Sequence, residues 1–379
     1  MYRSKIILCR SPAAVKNKFG SIQYLLYIHV VITTPKATLV EVARAAGVSR
    51  STASNVFAHP ERVRADVRKA VETAARSLGY LGPDPKGRLL RDGKFNTIGI
   101  IPPGKWGVAD SLRNPVFHQF LMGVAEACDE VGASVVLIPD KAGSGGIGAA
   151  LVDGLIFGRI GQLADTEPAR LRRLPFVVVD VDGGPGIASV RVDARHGAYL
   201  SARHLIDLGH RNFAIMSFRR DHGPPLFHPP ATPRNVEATG METDWEKYLG
   251  YGDALAEAGV DIASVPMLQA DPWETGAAAL LLDAASTATA ILSMSVMQAI
   301  AVIGEARRRG IDVPGELSVT GFNDIPEAAL CVPPVTTVDG MGRDKGMVAA
   351  RMILEGSLSR NEVIAPRLIT RASTAPPAR

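Results

Sequence analysis

Residues 38–57 read TLVEVARAAGVSRSTASNVF and predict two short helices joined by a tight turn. Thr38, followed three residues later by Glu41, is typical of a capping box, and Gly47 stands where a left-handed residue ends a helix. Ser49 is then placed to cap a second helix. Two helices joined by so short a glycine-containing turn cannot lie antiparallel, so the stretch predicts a helix-turn-helix.

A third helix is predicted from near Arg64, with one apolar stripe formed by Val67, Val71, Ala74 and Leu78. In the second helix, the same periodicity buries Val48, Ala53 and Val56. The remaining positions of that helix carry mostly short hydroxyl and amide side chains. We therefore expect a small all-α unit that presents a narrow polar surface.

The charges are distributed unevenly along the 379 residues. The chain as a whole carries a net charge of +4, but residues 37–94 hold eleven Lys or Arg against six Asp or Glu. Residues 1–36 add six positive charges and no negative ones, so the rest of the chain is acidic overall. A small basic head on a large acidic body suggests a polyanion as the partner of the head, although a solvated charged face would show the same charges.

Residues 1–36 form a leader whose apolar run, SIQYLLYIHVVITT, imitates a signal peptide. The run is too short and too polar to span a bilayer, and no small-residue cleavage site follows it. We expect a disordered leader, or translation from an upstream start codon, outside the fold. Cys9, Cys128 and Cys331 show no Cys-x-x-Cys spacing. A disulfide framework and a zinc site are therefore not supported, which favours the cytoplasm.

Residues 83–95 follow the helical head and are dense in Gly, Pro and charge. They are expected to be a linker, although Asp84 as N-cap, Pro85 at the first helical position and Gly93 past the end would frame a short helix. A helix of about two turns should be mostly unformed alone in water, because nucleation is costly.

From residue 96 to residue 379, apolar runs alternate with amphipathic helical stretches, which predicts an α/β body. About ten strands are many for one sheet, so we expect two sheets in two lobes with a ligand cleft between them. The domain boundaries are therefore 1–36 for the leader, 37–82 for the helical head, 83–95 for the linker and 96–379 for the body. The strands are expected in TIGIIPP, SVVLIPD, DGLIFG, PFVVVDV, SVRVD, FAIMSF, TAILSMS, SVTGFN and PVTTVD.

Catalytic chemistry has weak support in the body. The motif GSGGIG at 143–148 matches a dinucleotide-binding loop, but no acidic residue ends the next strand, so we interpret it as a glycine loop. A cluster of His222 and His228 in a Pro-rich stretch is expected to be a loop. Polar side chains at strand ends are expected to face the cleft, namely Asp180, Asp182, Asn323 and Asp324. Because no nucleophile is paired with a base, binding is favoured over catalysis.

The sequence resembles the LacI-type (lactose-repressor-like) family of bacterial transcriptional regulators from Ala37 almost to its C-terminus. The segments that carry the resemblance are TLVEVARAAGVSRSTASNV, RKAVETAARSLGY, GRLLRDG, TIGII, VDGLIFG, LIDLGHRNFAIM, DVPGELSVTGFND and PPVTTVDGMGRDKG. The resemblance implies a two-lobed body like that of periplasmic sugar-binding proteins. It also implies a homodimeric repressor that binds a near-palindromic DNA operator and a small, sugar-like effector.

The resemblance assigns residues of the head and linker to DNA. It places Arg50, Ser51 and Asn55 at base edges of the major groove and Ser49, Thr52 and Ser54 nearer the phosphates, and Thr38 and Arg88 also match DNA-contacting positions. Leu90 matches a hinge leucine that wedges into the minor groove. Gly87 stands where the family often has Ala, which should weaken the hinge helix by roughly 1 kcal/mol.

The resemblance assigns the effector to Phe117, Asp180, Lys247, Ser295 and Asn323. The sequence departs from the family at several of these positions: Lys247 stands where an Arg often lies, Asn323 where an Asp is common, Val296 where an Asp follows the serine, and Gly340 where a polar residue often sits. The segment from Asp140 to Val152 is shorter than the family's, so that lobe is expected to lack a helix.

No cofactor, metal or membrane partner is expected. Two other functions remain open at this stage, a small-molecule or sugar-binding protein without a DNA-binding role, and an α/β oxidoreductase that would use the glycine loop. The intact helical head argues against the first of these.

Overall fold

The computed structural model describes residues 5–16, 22–33, 37–82, 93–103, 107–139, 146–158, 163–219, 223–232, 242–274 and 276–378. The chain divides into two compact units, Met1–Gly93 and Lys94–Arg379. We call residues 37–82 the head and the second unit the body.

The head contains three helices, α1 (Leu39–Ala45), α2 (Arg50–Ala58) and α3 (Ala65–Ser77). Its core is small, because Val42, Ala53 and Val71 are fully buried at its centre and most of their neighbours are alanine or valine. The capping box at Thr38, the left-handed Gly47 and the cap at Ser49 are all present. The predicted helix-turn-helix is therefore confirmed.

Two strands precede the head, β1 (Lys5–Lys16) and β2 (Ile22–Thr33), and they pair antiparallel with Lys5 opposite Thr33. This differs from the expectation of a disordered leader. The physical reason is the composition of Ile22–Thr33, which is rich in β-branched and aromatic residues that favour extended backbone.

The body contains strands β3 to β15 and helices α4 to α12. The strands are β3 (Thr97–Ile101), β4 (Ser134–Leu137), β5 (Gly154–Phe157), β6 (Phe176–Val179), β7 (Ala188–Val192), β8 (Phe213–Phe218), β9 (Leu226–His228), β10 (Met267–Ala270), β11 (Ala290–Ser293), β12 (Ser318–Phe322), β13 (Thr336–Asp339), β14 (Asn361–Ile364) and β15 (Arg367–Ile369). The helices are α4 (Gly107–Ser111), α5 (Pro115–Val131), α6 (Glu167–Leu171), α7 (Ala194–Asp207), α8 (Glu242–Glu257), α9 (Ala277–Ala284), α10 (Val296–Arg308), α11 (Pro326–Leu330) and α12 (Gly342–Leu354).

The strands form two sheets, as the sequence predicted. The sheet of the first lobe has the order β14-β7-β6-β5-β3-β4 and is parallel throughout. The sheet of the second lobe has the order β15-β13-β12-β11-β8-β10-β9, with only the two edge strands antiparallel. Central strands such as β5, β8 and β12 are buried along their whole length, because helices cover both faces.

The chain passes between the lobes after β7, after β13 and after β14, because each of these strands is followed by an element of the other lobe. The parallel strands of both sheets therefore direct their carboxyl ends to the gap between the lobes. Side chains that follow β6 and β12 meet there, and this places the cleft where the sequence predicted it.

Close helix packing stiffens the first lobe. Helices α5 and α12 cross at two glycines: a Cβ atom on Gly123 would lie 1.8 Å from the carbonyl oxygen of Arg343, and one on Gly346 would lie 2.1 Å from that of Phe120. Only glycine allows the backbones to approach so closely. The position of α12 is thereby fixed relative to α5.

The sequence did not predict four of the body strands, namely β9, β10, β14 and β15. They are only three or four residues long and lack a continuous apolar run. The prediction of a loop around His222 and His228 is therefore partly wrong. His228 lies in β9 opposite Met267, and its Nε2 lies 2.9 Å from Oε1 of Gln269. His222 lies outside the described residues, as do residues 143–145 of the glycine motif, whereas residues 146–149 form a turn rather than a helix.

Candidate nucleic-acid interface and ligand cavity

Helix α2 presents a face of short polar side chains. Arg50, Ser51 and Asn55 are exposed, whereas Ala53 and Val56 are 0% and 5% exposed and pack against the rest of the head. The buried side rests on small residues, so α2 packs against the rest of the head through its apolar face. Its polar face remains available to a partner.

The hydroxyl groups at the start of α2 form a local network. The Oγ of Ser49 accepts a hydrogen bond from the backbone N–H of Thr52 at 3.0 Å and lies 2.7 Å from the Oγ of Ser51 and 2.8 Å from the Oγ1 of Thr52. The amino end of a helix carries a partial positive charge, which favours anions. The network therefore places hydroxyl donors where a phosphate would be stabilised.

Thr38 caps α1 at the exposed start of the head. Its backbone N–H donates to Oε2 of Glu41 at 2.8 Å, and its Oγ1 accepts from the backbone N–H of Glu41 at 3.3 Å. The hydrogen bond from the Thr38 backbone lowers the pKa of the Glu41 carboxyl. Arg88 and Leu90, the predicted hinge contacts, lie outside the described residues.

A cavity of about 720 Å³ lies between the two lobes of the body. All five predicted effector residues line it: Phe117, Asp180, Lys247, Ser295 and Asn323. They come from elements of both lobes, with Phe117 on α5, Asp180 after β6, Lys247 on α8, Ser295 at the start of α10 and Asn323 after β12. Their contact with an effector stays a prediction.

Aromatic rings form much of the cavity wall. Phe120 and Trp273 lie on it together with Phe117, Phe218 and Phe322. Phe117 and Phe120 have ring centroids 6.1 Å apart and nearly parallel planes. A ligand with apolar ring faces and polar edges would fit such a wall.

Asp182 and Asp324 do not line the cavity, which corrects the expectation that they face the cleft. Asp182 is exposed and lies 3.8 Å from Arg191, and its backbone N–H donates to Oε2 of Glu242 at 3.0 Å. Asp324 receives two hydrogen bonds from Arg371, at 2.7 and 2.9 Å. Each lies one or two residues beyond the cavity-lining residue, so its side chain points elsewhere.

Lys345 is a cavity residue that sequence reasoning missed. Its ammonium group is 2.5 Å from Oδ1 of Asp180, and the residue is 6% exposed. A signal was present in the sequence, because Lys345 lies on the same helical stripe as the buried Ala349 and Ile353. A lysine on an apolar stripe indicates a buried charge that must be paired.

Asp244 is a second cavity residue that sequence reasoning missed, and it is fully buried. It precedes Lys247 by one helical turn of α8, so both side chains project from the same face. Within the described ranges, no group of three or more His, Cys, Asp or Glu side chains is arranged to hold a metal ion.

Known proteins share both units of this chain. A model of bacterial regulatory proteins of the lacI family matches residues 38–82, and a model of periplasmic binding protein-like domains matches residues 202–374. An HTH-type transcriptional regulator of Mycolicibacterium smegmatis is 32% identical over 338 residues, which cover 84% of this chain and 90% of that protein. The chain belongs to the LacI family of bacterial regulatory proteins.

Solved structures show the same fold. The lac repressor dimer bound to operator and the anti-inducer ONPF matches with a TM-score of 0.71 and 22% identity, over 90% of this chain and all of that one. The transcriptional regulator CelR in complex with cellobiose matches with a TM-score of 0.61 and 24% identity, over 89% of this chain and 99% of that one.

As a member of the LacI family, the chain is a DNA-binding transcriptional regulator, and the relatives it matches are regulators rather than enzymes. Among the residues for which the structure gives a placement, no helix has the length and apolar character needed to cross a bilayer.

Two departures from the LacI-family pattern have a structural explanation in the cavity. Asn323 has a left-handed backbone with φ 71°, and a Cβ atom on Gly340 would lie 2.0 Å from its Oδ1. The Asn323 side chain therefore occupies the space that a larger residue at 340 would need. Val296 is fully buried in the core of the second lobe and does not reach the cavity.

Lys247 also departs from the pattern, and its environment is unusual for a lysine. Its Nζ donates to the carbonyl oxygen of Met294 at 3.1 Å and lies 4.2 Å from the ring centroid of Phe322 and 5.3 Å from that of Phe218. The aromatic faces stabilise the cation where little water reaches it, since the residue is 5% exposed.

Proposed function

We propose that this regulator is a homodimeric repressor of the cytoplasm that binds a near-palindromic operator. A small, sugar-like effector that enters the cavity would lower or raise its affinity for that operator. Residues 37–82 would read the operator, residues 83–95 would form the hinge and residues 96–379 would bind the effector and the second subunit. The observation that carries the proposal is the exposed polar face of α2 in a chain that also contains a ligand-sized cavity.

The contacts of α2 with DNA follow from its two sides. Arg50, Ser51 and Asn55 are exposed and would reach base edges, since arginine and asparagine form the best-matched pairs with guanine and adenine. Ser49, Thr52 and Ser54 lie nearer the start and the flank of the helix and would contact phosphates. Thr38 would add a contact at the start of α1, Arg88 would add one in the hinge, and Leu90 would insert into the minor groove at the operator centre.

The effector would lie between Asp180 and Asn323, which end equivalent strands of the two lobes. Asp180 keeps Oδ2 for a ligand hydroxyl while Oδ1 pairs with Lys345. Within the described part of the chain, the Asn323 amide makes no hydrogen bond, so it can donate to and accept from a ligand. Phe117 would cover an apolar ring face, and Ser295 and Lys247 would bind polar edges. The cellobiose complex of CelR, which has this fold, supports a sugar-like effector.

The homodimer is supported by apolar side chains on the surface of the second lobe. Leu226, Leu280, Leu330 and Val332 are 42%, 50%, 79% and 69% exposed. Each is adjacent in sequence to a residue that packs on one core cluster of that lobe. The lac repressor dimer supports a second copy of the chain as the partner, and we place these apolar side chains at the interface between the two copies. Sedimentation of Leu330→Asp should show monomers where the wild-type chain shows dimers.

An electrophoretic mobility shift assay tests the DNA-binding proposal. The wild-type chain is first used to select duplexes from a random library. Binding to the selected duplex is then measured between 50 and 200 mM salt, a rise over which a protein with about six phosphate contacts loses about 10³-fold in affinity. Asn55→Ala and Ser51→Ala should relax the base preference. Thr73→Ala, an exposed position on α3, is the control. Affinity that is indifferent to salt and sequence would contradict the proposal.

The effector and the sign of regulation need two further measurements. A thermal-shift screen of sugars, sugar acids and nucleobases should find a compound that raises the melting temperature, because a ligand stabilises the state it binds. Asn323→Ala should abolish that shift. A reporter gene placed behind the selected duplex should be silenced by the wild-type chain, and increased expression would contradict the repressor role.

A further inference from the structure

The first residues of the body are anchored by a single carboxylate. Oδ1 of Asp153 accepts a hydrogen bond from the backbone N–H of Phe95 at 2.8 Å, and Oδ2 accepts one from that of Thr97 at 3.1 Å. The backbone N–H of Asp153 donates in return to the carbonyl oxygen of Thr97 at 2.8 Å. Asp153 is 56 to 58 residues away in sequence, so the three bonds tie the end of the linker to the start of β5.

The residue between the two donors is anchored as well. Asn96 has φ 53°, its Nδ2 donates to the carbonyl oxygen of Gly132 at 2.7 Å, and its own carbonyl oxygen accepts from the backbone N–H of Ser134 at 2.8 Å. We call Phe95, Asn96, Thr97, Gly132 and Asp153 the collar. The collar fixes both the position and the direction of the chain where it leaves the linker.

Three elements run from the collar to the cavity. β3 begins at Thr97 and leads to Pro103, β5 follows Asp153 and leads to Gly158, and α5 ends before Gly132 and begins near Phe117. Pro103, Gly158 and Phe117 all line the cavity. Helix α5 alone spans about 25 Å, given its 17 residues.

These three elements share one core. Ile98 of β3, Ile156 of β5 and Val124 of α5 are buried in the same cluster. Well-packed cores move as rigid bodies, so a displacement at the cavity wall is carried to the collar with little loss.

We propose that Asp153 is a positioning residue that sets the direction in which the linker leaves the body and thereby couples the cavity to the DNA-binding head. The inference rests on the proposed function. Asp153 does not line the cavity, and it acts through the backbone of Phe95 and Thr97. A carboxylate is required because both oxygens accept, whereas an asparagine would turn its NH₂ group toward one of the two N–H donors.

The test measures how strictly the protein enforces the geometry of its DNA site. Binding is compared between the duplex that the wild-type chain selects and the same duplex with one base pair inserted at its centre, which moves the half-sites apart by about 3.4 Å. In Asp153→Asn the ratio of the two affinities should fall by about tenfold, which is the worth of one charge-assisted hydrogen bond. Asp129→Asn makes the same charge change at an exposed site of the same lobe and should leave the ratio unchanged.

A purely structural role would lower the melting temperature without changing the ratio, and that result overturns the inference. If Asp153→Asn fails to fold, Asn96→Gly replaces it, because glycine keeps the left-handed backbone while losing the bond to Gly132, and the ratio should fall by about threefold. A wild-type ratio in this variant overturns the inference. A wild-type chain that selects no duplex contradicts the proposed function itself, whereas a selected duplex with unchanged ratios in the variants contradicts the inference alone.

Discussion

Gly346 at the crossing of α5 and α12 provides a sharp test of the packing. In Gly346→Ala the new Cβ would lie 2.1 Å from the carbonyl oxygen of Phe120, 3.0 Å from its carbonyl carbon and 3.1 Å from the backbone nitrogen of Val124. All three atoms belong to the backbone of α5 and cannot rotate away. The helices must therefore separate by roughly 1 Å to reach an ordinary van der Waals distance.

The cost of that separation can be set against the gain in helix propensity. Overpacking of this kind costs about 3 kcal/mol, and replacing glycine by alanine inside a helix returns about 1 kcal/mol. The free energy of unfolding should fall by about 2 kcal/mol, which lowers the melting temperature by roughly 4–8 °C in a domain of this size. Because Lys345 precedes Gly346, ligand binding in the cavity should weaken as well.

Gly304 supplies the matched control. It lies on the exposed side of α10, and a Cβ atom there would meet nothing within 4 Å. Gly304→Ala should therefore raise the free energy of unfolding by about 1 kcal/mol and the melting temperature by roughly 2–4 °C. Calorimetry and urea titration measure both variants. If Gly346→Ala is as stable as the wild-type chain, the close crossing of the two helices is refuted.

Three further predictions concern a buried histidine, a helix cap and an ion pair. Burial lowers the pKa of His210, and that of His204, below the unfolded value of about 6.5, so the unfolded state binds protons first and the free energy of unfolding should decline as the pH falls from 7 to 5. In urea titrations His210→Gln should show a shallower decline with pH, and a slope equal to that of the wild-type chain would contradict this prediction. Ser49→Ala removes the side-chain acceptor at the start of α2 and should lower the stability of the head by about 1 kcal/mol. The helical circular dichroism signal of the head on heating measures this change, and an unchanged stability would show that water replaces the cap. Arg371→Met leaves the carboxylate of Asp324 without its two hydrogen bonds and should cost about 2 kcal/mol in urea titrations, whereas the double variant with Asp324→Asn should recover part of that loss.

The sequence predicted the elements whose signals are local. The caps at Thr38 and Ser49 and the left-handed Gly47 each depend on neighbouring residues, and all were found. The long apolar strands were equally clear, because strands buried on both faces consist mostly of apolar residues. Short strands such as β9 and β15 owe their existence to a neighbour far along the chain, so their own sequence carries little signal.

The cavity was predictable only in part. The ends of β6 and β12 could be located in the sequence, and Asp180 and Asn323 follow those strands directly. Asp182 and Asp324 lie just beyond them, and alternation alone could not show that arginines would draw these side chains away. The apolar stripe of α12 could have marked Lys345 as a buried charge, but its partner Asp180 is 165 residues away, and no local pattern identifies that pairing.

The route of the chain between the lobes has a consequence for biosynthesis. The sheet of the first lobe is completed by β14, residues Asn361–Ile364, which pairs with β7. A ribosome therefore releases the whole head, and nearly all of the second lobe, before the first lobe can close its sheet. A nascent chain that stalls before residue 361 would expose the unpaired edge of β7 and would lack a completed first lobe, although the head has already been synthesised. Premature termination late in translation should thus yield products that chaperones and proteases recognise, rather than shortened regulators.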